Sequence, residues 1–291
     1  MTHNKHYQVQ HFFDQETWTL SYVVYDQSSK DAVLIDPVLN YDPASSKYSY
    51  ESVNEVLDFI KNHDLKIHYI MDTHAHADHV TGMKEIKKHL PEAKTVIGKH
   101  IDLVQAVFKD IFNLKDLSPV EQVFDILADE EKDLQAGTLN IKTIFTPGHT
   151  PACASYLIGD AVFTGDALFM PDFGTGRCDF PKGSAEDLYH SVHDKLYALP
   201  DETRVFTGHD YMPGGRELKF ESSIKEQKEN NIQLKENTSK EEFIAFRTER
   251  DRQLKAPRLL LPSIQLNIRA GNFPQAEDNG TSYIKMPLFK K

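Results

Sequence analysis

The chain has almost no cysteine. Cys153 and Cys178 are the only two in 291 residues, too few for a disulfide framework, and this favours a reducing compartment. Long apolar runs are also missing: no stretch approaches the roughly 20 apolar residues that a membrane-spanning helix requires. Positive charge is outnumbered, with 33 Lys and Arg against 44 Asp and Glu, for a formal net charge of -11. The balance argues against nucleic acid and anionic membranes as general partners, since both favour basic faces. It leaves room for an anionic small substrate held by one or two local arginines. The opening stretch, MTHNKHYQVQHFF, has neither a basic segment leading into an apolar one nor the arginine- and serine-rich look of a transit peptide. A cytoplasmic protein is expected. No repeat at a solenoid period is visible.

What is present is ordinary for a globular α/β chain, with 40% hydrophobic and 26% charged residues. Trp18 to Tyr25 and Ala32 to Ile35 are rich in β-branched and aromatic residues and predict strands around turn chemistry at 26–31. Val53, Val56, Leu57 and Ile60 recur at helical spacing and predict a helix over 50–63. A strand at 66–72, a helix at 83–90, a short strand at 95–97 and a helix at 101–111 follow. Further on, 137–145 reads as a strand. Residues 154–158 and 161–164 read as a hairpin turned at Gly159-Asp160. Ser184 with Asp187 is a helix-start pattern, and Leu188, Val192, Leu196 and Leu199 are the buried stripe of one helix over 184–199. Arg204 to Thr207 is a last core strand. Residues 1–215 read as the main unit. Residues 216–291 read as an appended extension: 217–253 is charged and helical in pattern, 259–289 is less regular, and the whole could serve as a homodimer face.

The chemistry gathers at His74-Ala-His-Ala-Asp-His79, between a predicted strand and a predicted helix. His74 and His76, two residues apart at a strand end, can converge on one ion. Asp78 and His79 can approach from the turn, so the string could serve two adjacent metal positions. His149, Asp166 and His209 each follow a predicted strand and a glycine, and strand ends in layered α/β folds commonly gather, so these residues can join the string. Imidazole and carboxylate without thiolate suit zinc, iron or manganese. Asp36, at the end of another strand, is either a turn residue or a partner of the metal ligands. His190 and His193, three apart on a helix, could mimic a site but read as structural.

The strings THAHADH, TPGHT, TGDALF and TGHDY resemble the metallo-β-lactamase superfamily over residues 10–215. Val80-Thr81-Gly82 after His79, Gly176-Arg177-Cys178-Asp179-Phe180, Leu188 to Lys195 and Gly208 to Tyr211 are similar to its persulfide dioxygenase branch. The ending Asn267-Ile-Arg-Ala-Gly-Asn-Phe-Pro274 resembles that branch's bacterial β-lactamase-like hydrolases. The resemblance implies an αββα sandwich of two mixed sheets flanked by helices. It implies one Fe(II) per chain held by His74, His149 and Asp166, with His76, Asp78, His79 and His209 lining the site or bonding behind the ligands. With all of these groups present, a two-zinc hydrolase of glutathione thioesters stays open as the alternative. The reaction implied is oxidation of glutathione persulfide by dioxygen and water to sulfite and glutathione. Arg177 stands where relatives place a substrate-side arginine, and a surface ion pair is the equal alternative. Tyr211 could bond substrate or simply pack. One departure stands out: relatives of the ethylmalonic-encephalopathy type carry Asn-Pro-Arg-Leu where this chain has Asn231-Ile-Gln-Leu234. Arg216 is the expected substitute for the missing arginine. Cys153 and Cys178 lie beside these motifs but read as structural.

Overall fold

Alternation decides which way each strand faces. In the segment Thr19–Asp26, Leu20, Tyr22 and Val24 pack to one side and Val23 to the other, because successive strand side chains point to opposite faces. Both faces are apolar, so both must be covered. A computed structural model describes residues 7–288. Residues 1–6, part of the opening stretch considered above, and 289–291, including Phe289, lie outside the described residues.

In chain order the strands are β1 Tyr7–Asp14, β2 Thr19–Asp26, β3 Asp31–Ile35, β4 Val38–Asp42, β5 Lys47–Ser49, β6 Lys66–Met71, β7 Val80–Thr81, β8 Lys94–Gly98, β9 Ile126–Ala128, β10 Leu134–Ala136, β11 Leu139–Phe145, β12 Ala154–Ile158, β13 Ala161–Phe163, β14 Arg204–Phe206 and β15 Glu221–Ser223. The helices are α1 Glu51–Asn62, α2 Met83–His89, α3 Ile101–Ile111, α4 Val120–Val123, α5 Ala185–His190, α6 Ile224–Asn230, α7 Lys240–Arg252 and α8 Leu260–Asn267. One six-stranded sheet runs β1-β2-β3-β6-β8-β9 and a second runs β10-β11-β12-β13-β14-β15. Both are mixed: β3, β6, β8 and β9 pair parallel in the first, and β13 and β14 do so in the second.

The sheets pack face to face through Leu20, Tyr22, Ile35 and Met71 on one side and Ile141, Tyr156, Phe163 and Phe206 on the other. On the outer face of the first sheet, α1 seats Val53, Val56 and Ile60, and α2 and α3 add Met83, Ile86 and Val104. On the outer face of the second, Leu188, Val192, Leu196, Ile224 and Phe243 cover Val162 and Val205. This is the expected αββα sandwich, held by apolar burial on three layers of contact.

Two local expectations are corrected. The helix expected over 184–199 is α5 followed by a π-helical turn at Ser191–Leu196, within which the Ser191 hydroxyl donates to the Pro147 carbonyl at 2.6 Å. The less regular ending contains α8. Its residues Pro262 to Asn267 are all buried, so it has no polar face to produce a helical period, and Pro262 sits in its first turn, where proline is tolerated. Beyond residue 215, β15 pairs with β14 at the edge of the second sheet, and Phe243 of α7 is fully buried. Among the described residues no helix is long and apolar enough to cross a membrane.

Candidate metal centre

The loop from Asp72 to His79 leaves β6 and is fixed at its far end by β7, which pairs with β4. His149 follows β11, Asp166 follows β13, His209 follows β14 and Asp36 follows β3, so strand ends of both sheets meet at one edge of the sandwich. The turns demand glycine at two of these approaches. Gly165 has φ +50°, and a Cβ there would meet Thr73 Oγ1 at 2.4 Å; Gly148 has φ +140° and lies against Leu188. Gly208 is not left-handed; it is merely close to Asp166.

The hydrogen bonds behind each ring set its tautomer. A carbonyl can only accept, so His149 donates from Nδ1 to Arg177 O at 2.6 Å and His209 from Nδ1 to Trp18 O at 3.2 Å. His76 reverses the ring, donating from Nε2 to Asp36 Oδ1 at 3.0 Å. His74 Nδ1 lies 3.0 Å from Thr73 Oγ1, and His79 Nδ1 lies 3.2 Å from Thr19 Oγ1. Asp36 therefore serves both readings made of it: it accepts from Thr73 N at 2.7 Å and also orients His76.

These bonds leave a set of buried atoms facing inward with no hydrogen-bond partner: His74 Nε2, His76 Nδ1, His79 Nε2, His209 Nε2, Asp78 Oδ2 and Asp166 Oδ1. An unsatisfied buried polar group costs about 1–3 kcal/mol. A bound cation removes that cost, and the donor set fits a divalent metal of the zinc, iron or manganese kind. Burial, reinforced by neighbouring histidines, holds the His74 and His76 pKa values well below the ordinary range, so both rings stay neutral and able to ligate.

Besides a cluster of Asp36, Asp72 and His76, two groups of candidate ligands are distinguishable. His74, His149 and Asp166 form one, with His149 Nε2 at 3.5 Å and His74 Nε2 at 4.0 Å from Asp166 Oδ2. His76, Asp78 and His79 form the other, joined by His209, whose Nε2 is 3.0 Å from Asp78 Oδ2 and 3.4 Å from Asp166 Oδ1. Asp166 thus presents one oxygen to each group. His190 and His193 are elsewhere, bonded to Asp194 and to the Glu236 carbonyl.

A cavity of about 320 Å³ opens on this edge. His149 and Asp166 of the first group line it, but of the second group only Asp78 does. Trp18, Phe169, Phe173 and Tyr211 make an aromatic wall, and Tyr211 stacks on His209 with ring centroids 5.6 Å apart. Burial, with the Asp78 and Asp166 carboxylates nearby, raises the Tyr211 hydroxyl well above its ordinary value, so it is a donor at neutral pH.

Arg177 lines the cavity, but its guanidinium is held in two-pronged contact by Asp179, while its carbonyl orients His149. Arg216, the expected substitute for the missing arginine, does not line the cavity: its guanidinium is consumed by Asp172 and Asp210. At the position of the missing arginine, Gln233 faces the cavity and accepts from Arg247 Nη1 at 3.0 Å. Arg247 is buried against Asp251, but Arg250, one turn on along α7, stands exposed at the cavity with no ion-pair partner among the described residues. Sequence reasoning missed Arg247 and Arg250, which look like any other charges on a charged helix, and missed Asn267, treated below. Cys153 is buried, its thiol pushed up to about 12 by burial; burial likewise raises Cys178. Both are free and are held as inert thiols.

Residues 19–209 match the family model described as "Metallo-beta-lactamase superfamily". The chain is 46% identical to "Glyoxylase B2" of Dictyostelium discoideum over 95% of each chain. It is 34% identical to "Persulfide dioxygenase ETHE1, mitochondrial" of Mus musculus, over 68% of this chain and 66% of that one. The crystal structure of ETHE1 from Myxococcus xanthus superposes with a TM-score of 0.73 at 32% identity, covering 91% of this chain and all of that one. The matched span begins at the strand carrying Thr19 and ends on His209, so it encloses every ligand described above. The chain belongs to the metallo-beta-lactamase superfamily, in the branch of the ETHE1 homologues.

Proposed function

We propose that this protein is a persulfide dioxygenase that oxidises glutathione persulfide with dioxygen and water to sulfite and glutathione, on one iron(II) held by His74, His149 and Asp166. One observation carries the reading: His149 and Asp166 line the cavity, and with His74, whose ligand atom lies within 4.8 Å of theirs, they make two imidazoles and one carboxylate, a set that leaves open positions on an iron ion. The likeness to ETHE1 proteins supports the same choice. Bound iron(II) supplies the redox chemistry by which dioxygen reacts with the terminal persulfide sulfur.

The residues of the chain do the rest. The aromatic wall of Trp18, Phe169 and Phe173 excludes water around the sulfur. Tyr211 offers a hydroxyl proton toward the reacting end, and Asp78 an acceptor. At the mouth, Arg250 is free to pair with a substrate carboxylate; the Arg177 contribution is to fix His149 through its backbone and to wall the cavity. In the balanced reaction the terminal sulfur leaves glutathione as sulfite, its three oxygens coming from dioxygen and water. The sulfur–sulfur bond breaks, glutathione keeps one proton on its thiol, two further protons are released, and dioxygen accepts the four electrons.

A second reading has its own support. The inward atoms of His76, Asp78, His79 and His209 are also without partners, and Asp166 reaches both groups, an arrangement that suits a two-zinc hydrolase of glutathione thioesters. "Glyoxylase B2" among the relatives points the same way. Oxygen uptake with sulfite release by iron-loaded protein on glutathione persulfide tests the first reading. Absence of uptake at full iron occupancy, with thioester hydrolysis by zinc-loaded protein, would replace it with the second.

A further inference from the structure

The C-terminal motif Asn267-Ile-Arg-Ala-Gly271 packs against the loop that carries His76 and His79, and none of its residues lines the cavity. Asn267 is fully buried at the end of α8. Its Nδ2 donates to the carbonyls of both His76 and His79, each at 2.8 Å, and its Oδ1 accepts from Thr81 N at 2.9 Å. A single amide thus ties three points of one loop, using both donors and the acceptor. The motif is itself pinned. Gln105 of α3 donates to Ile268 O at 3.0 Å, and Arg269 bonds Asp116 at 3.0 Å. Gly271 has φ +76°, and a Cβ there would sit 3.0 Å from Thr81 O, so the turn is pressed against β7.

We propose that Asn267 is a positioning residue: it sets the pitch of the loop at His76 and His79, and so the second ligand group, without acting on the first. Holding the carbonyls of His76 and His79 outward turns their Cα–Cβ bonds, and hence their rings, toward the centre. His74 precedes the tied points and has its own anchor at Thr73; His149 and Asp166 belong to other strands. The claim is independent of which reaction the centre performs. Asparagine is the residue this position requires. Aspartate keeps the size and the acceptor but loses both donors and sets a carboxylate against two carbonyls, while alanine loses all three bonds.

The test is the nuclear magnetic resonance of imidazole nitrogens in the full-length Zn(II)-loaded chain, with ring signals assigned by single His→Gln substitutions. In N267D, and in N267A where it folds, the His76 and His79 ring signals shift while those of His74 and His149 stay in place. N267D is isosteric and keeps the Thr81 bond, so it reports even if N267A does not fold. Melting temperature is recorded alongside to separate repositioning from loss of fold. Ring signals that all stay in place, or that all move together, would overturn the assignment and reduce Asn267 to an ordinary packing contact.

Discussion

The two ligand groups share Asp166 but differ in how they meet solvent and in what stands behind them. His149 and Asp166 of the first group face the cavity; in the second group only Asp78 does. The first is built from the ends of β6, β11 and β13 on both sheets, whereas His76, Asp78 and His79 come from one loop braced by Asp36, Thr19 and Asn267. The difference teaches that ligand-type residues in one place need not do one job. The group open to the cavity is where a substrate atom can arrive. The group closed off behind it is where hydrogen bonds hold the geometry.

Substitutions can break this comparison. The largest effect falls on the shared residue: Asp166→Ala removes the only anion of the first group, and metal analysis is expected to find iron lost from the purified chain. His79→Ala is expected to keep most of its iron and lose turnover. Loss of iron in His79→Ala with retention in Asp166→Ala would reverse the roles of the two groups.

At the cavity mouth the expected effect is smaller. Arg250→Ala raises KM for glutathione persulfide by about tenfold with kcat nearly unchanged, as expected when about 1.4 kcal/mol of binding common to ground and transition states is removed. Arg216→Ala leaves KM alone, since that guanidinium is committed to Asp172 and Asp210. Steady-state kinetics on the two variants decides which arginine serves the substrate.

The smallest effect is on stability. Burial depresses the His74 and His76 pKa values below 6.5, so below that pH the unfolded chain binds protons that the folded metal-free chain refuses. Metal-free protein is therefore expected to lose stability as pH falls from 6.5, with a shallower loss in His76→Gln. Urea unfolding across that range measures the slope, and equal slopes in the two proteins would contradict the assignment of His76 as a buried neutral ring.

Much of this was legible in the sequence, for reasons that differ by element. The loop 74–79 is dense in ligand-type residues, α1 carries helical periodicity, β2 is rich in β-branched and aromatic residues, and the β12–β13 hairpin is marked by its Gly159-Asp160 turn, so each announces itself locally. Asp36 was legible only as a choice between turn residue and partner of the metal ligands, and Asn267 not at all: each is one polar residue whose meaning comes from carbonyls or rings that the fold brings from far along the chain, and Asn267 contacts residues 191 and 188 positions away. Arg250 is invisible for the opposite reason, standing among similar charges on α7 until the fold brings one face to the cavity. Arg216 was expected at the substrate because it is an arginine near the right motif; Asp172 and Asp210, which claim it, are ordinary acids until folded. The helix α8 was missed because it is buried on all sides and lacks a polar face.

The most direct test of the account is metal stoichiometry read together with oxygen consumption. Protein loaded anaerobically with iron(II), freed of excess metal and mixed with glutathione persulfide is predicted to hold one iron per chain and to consume oxygen as sulfite appears. Two tightly held metals per chain with no oxygen uptake would contradict it.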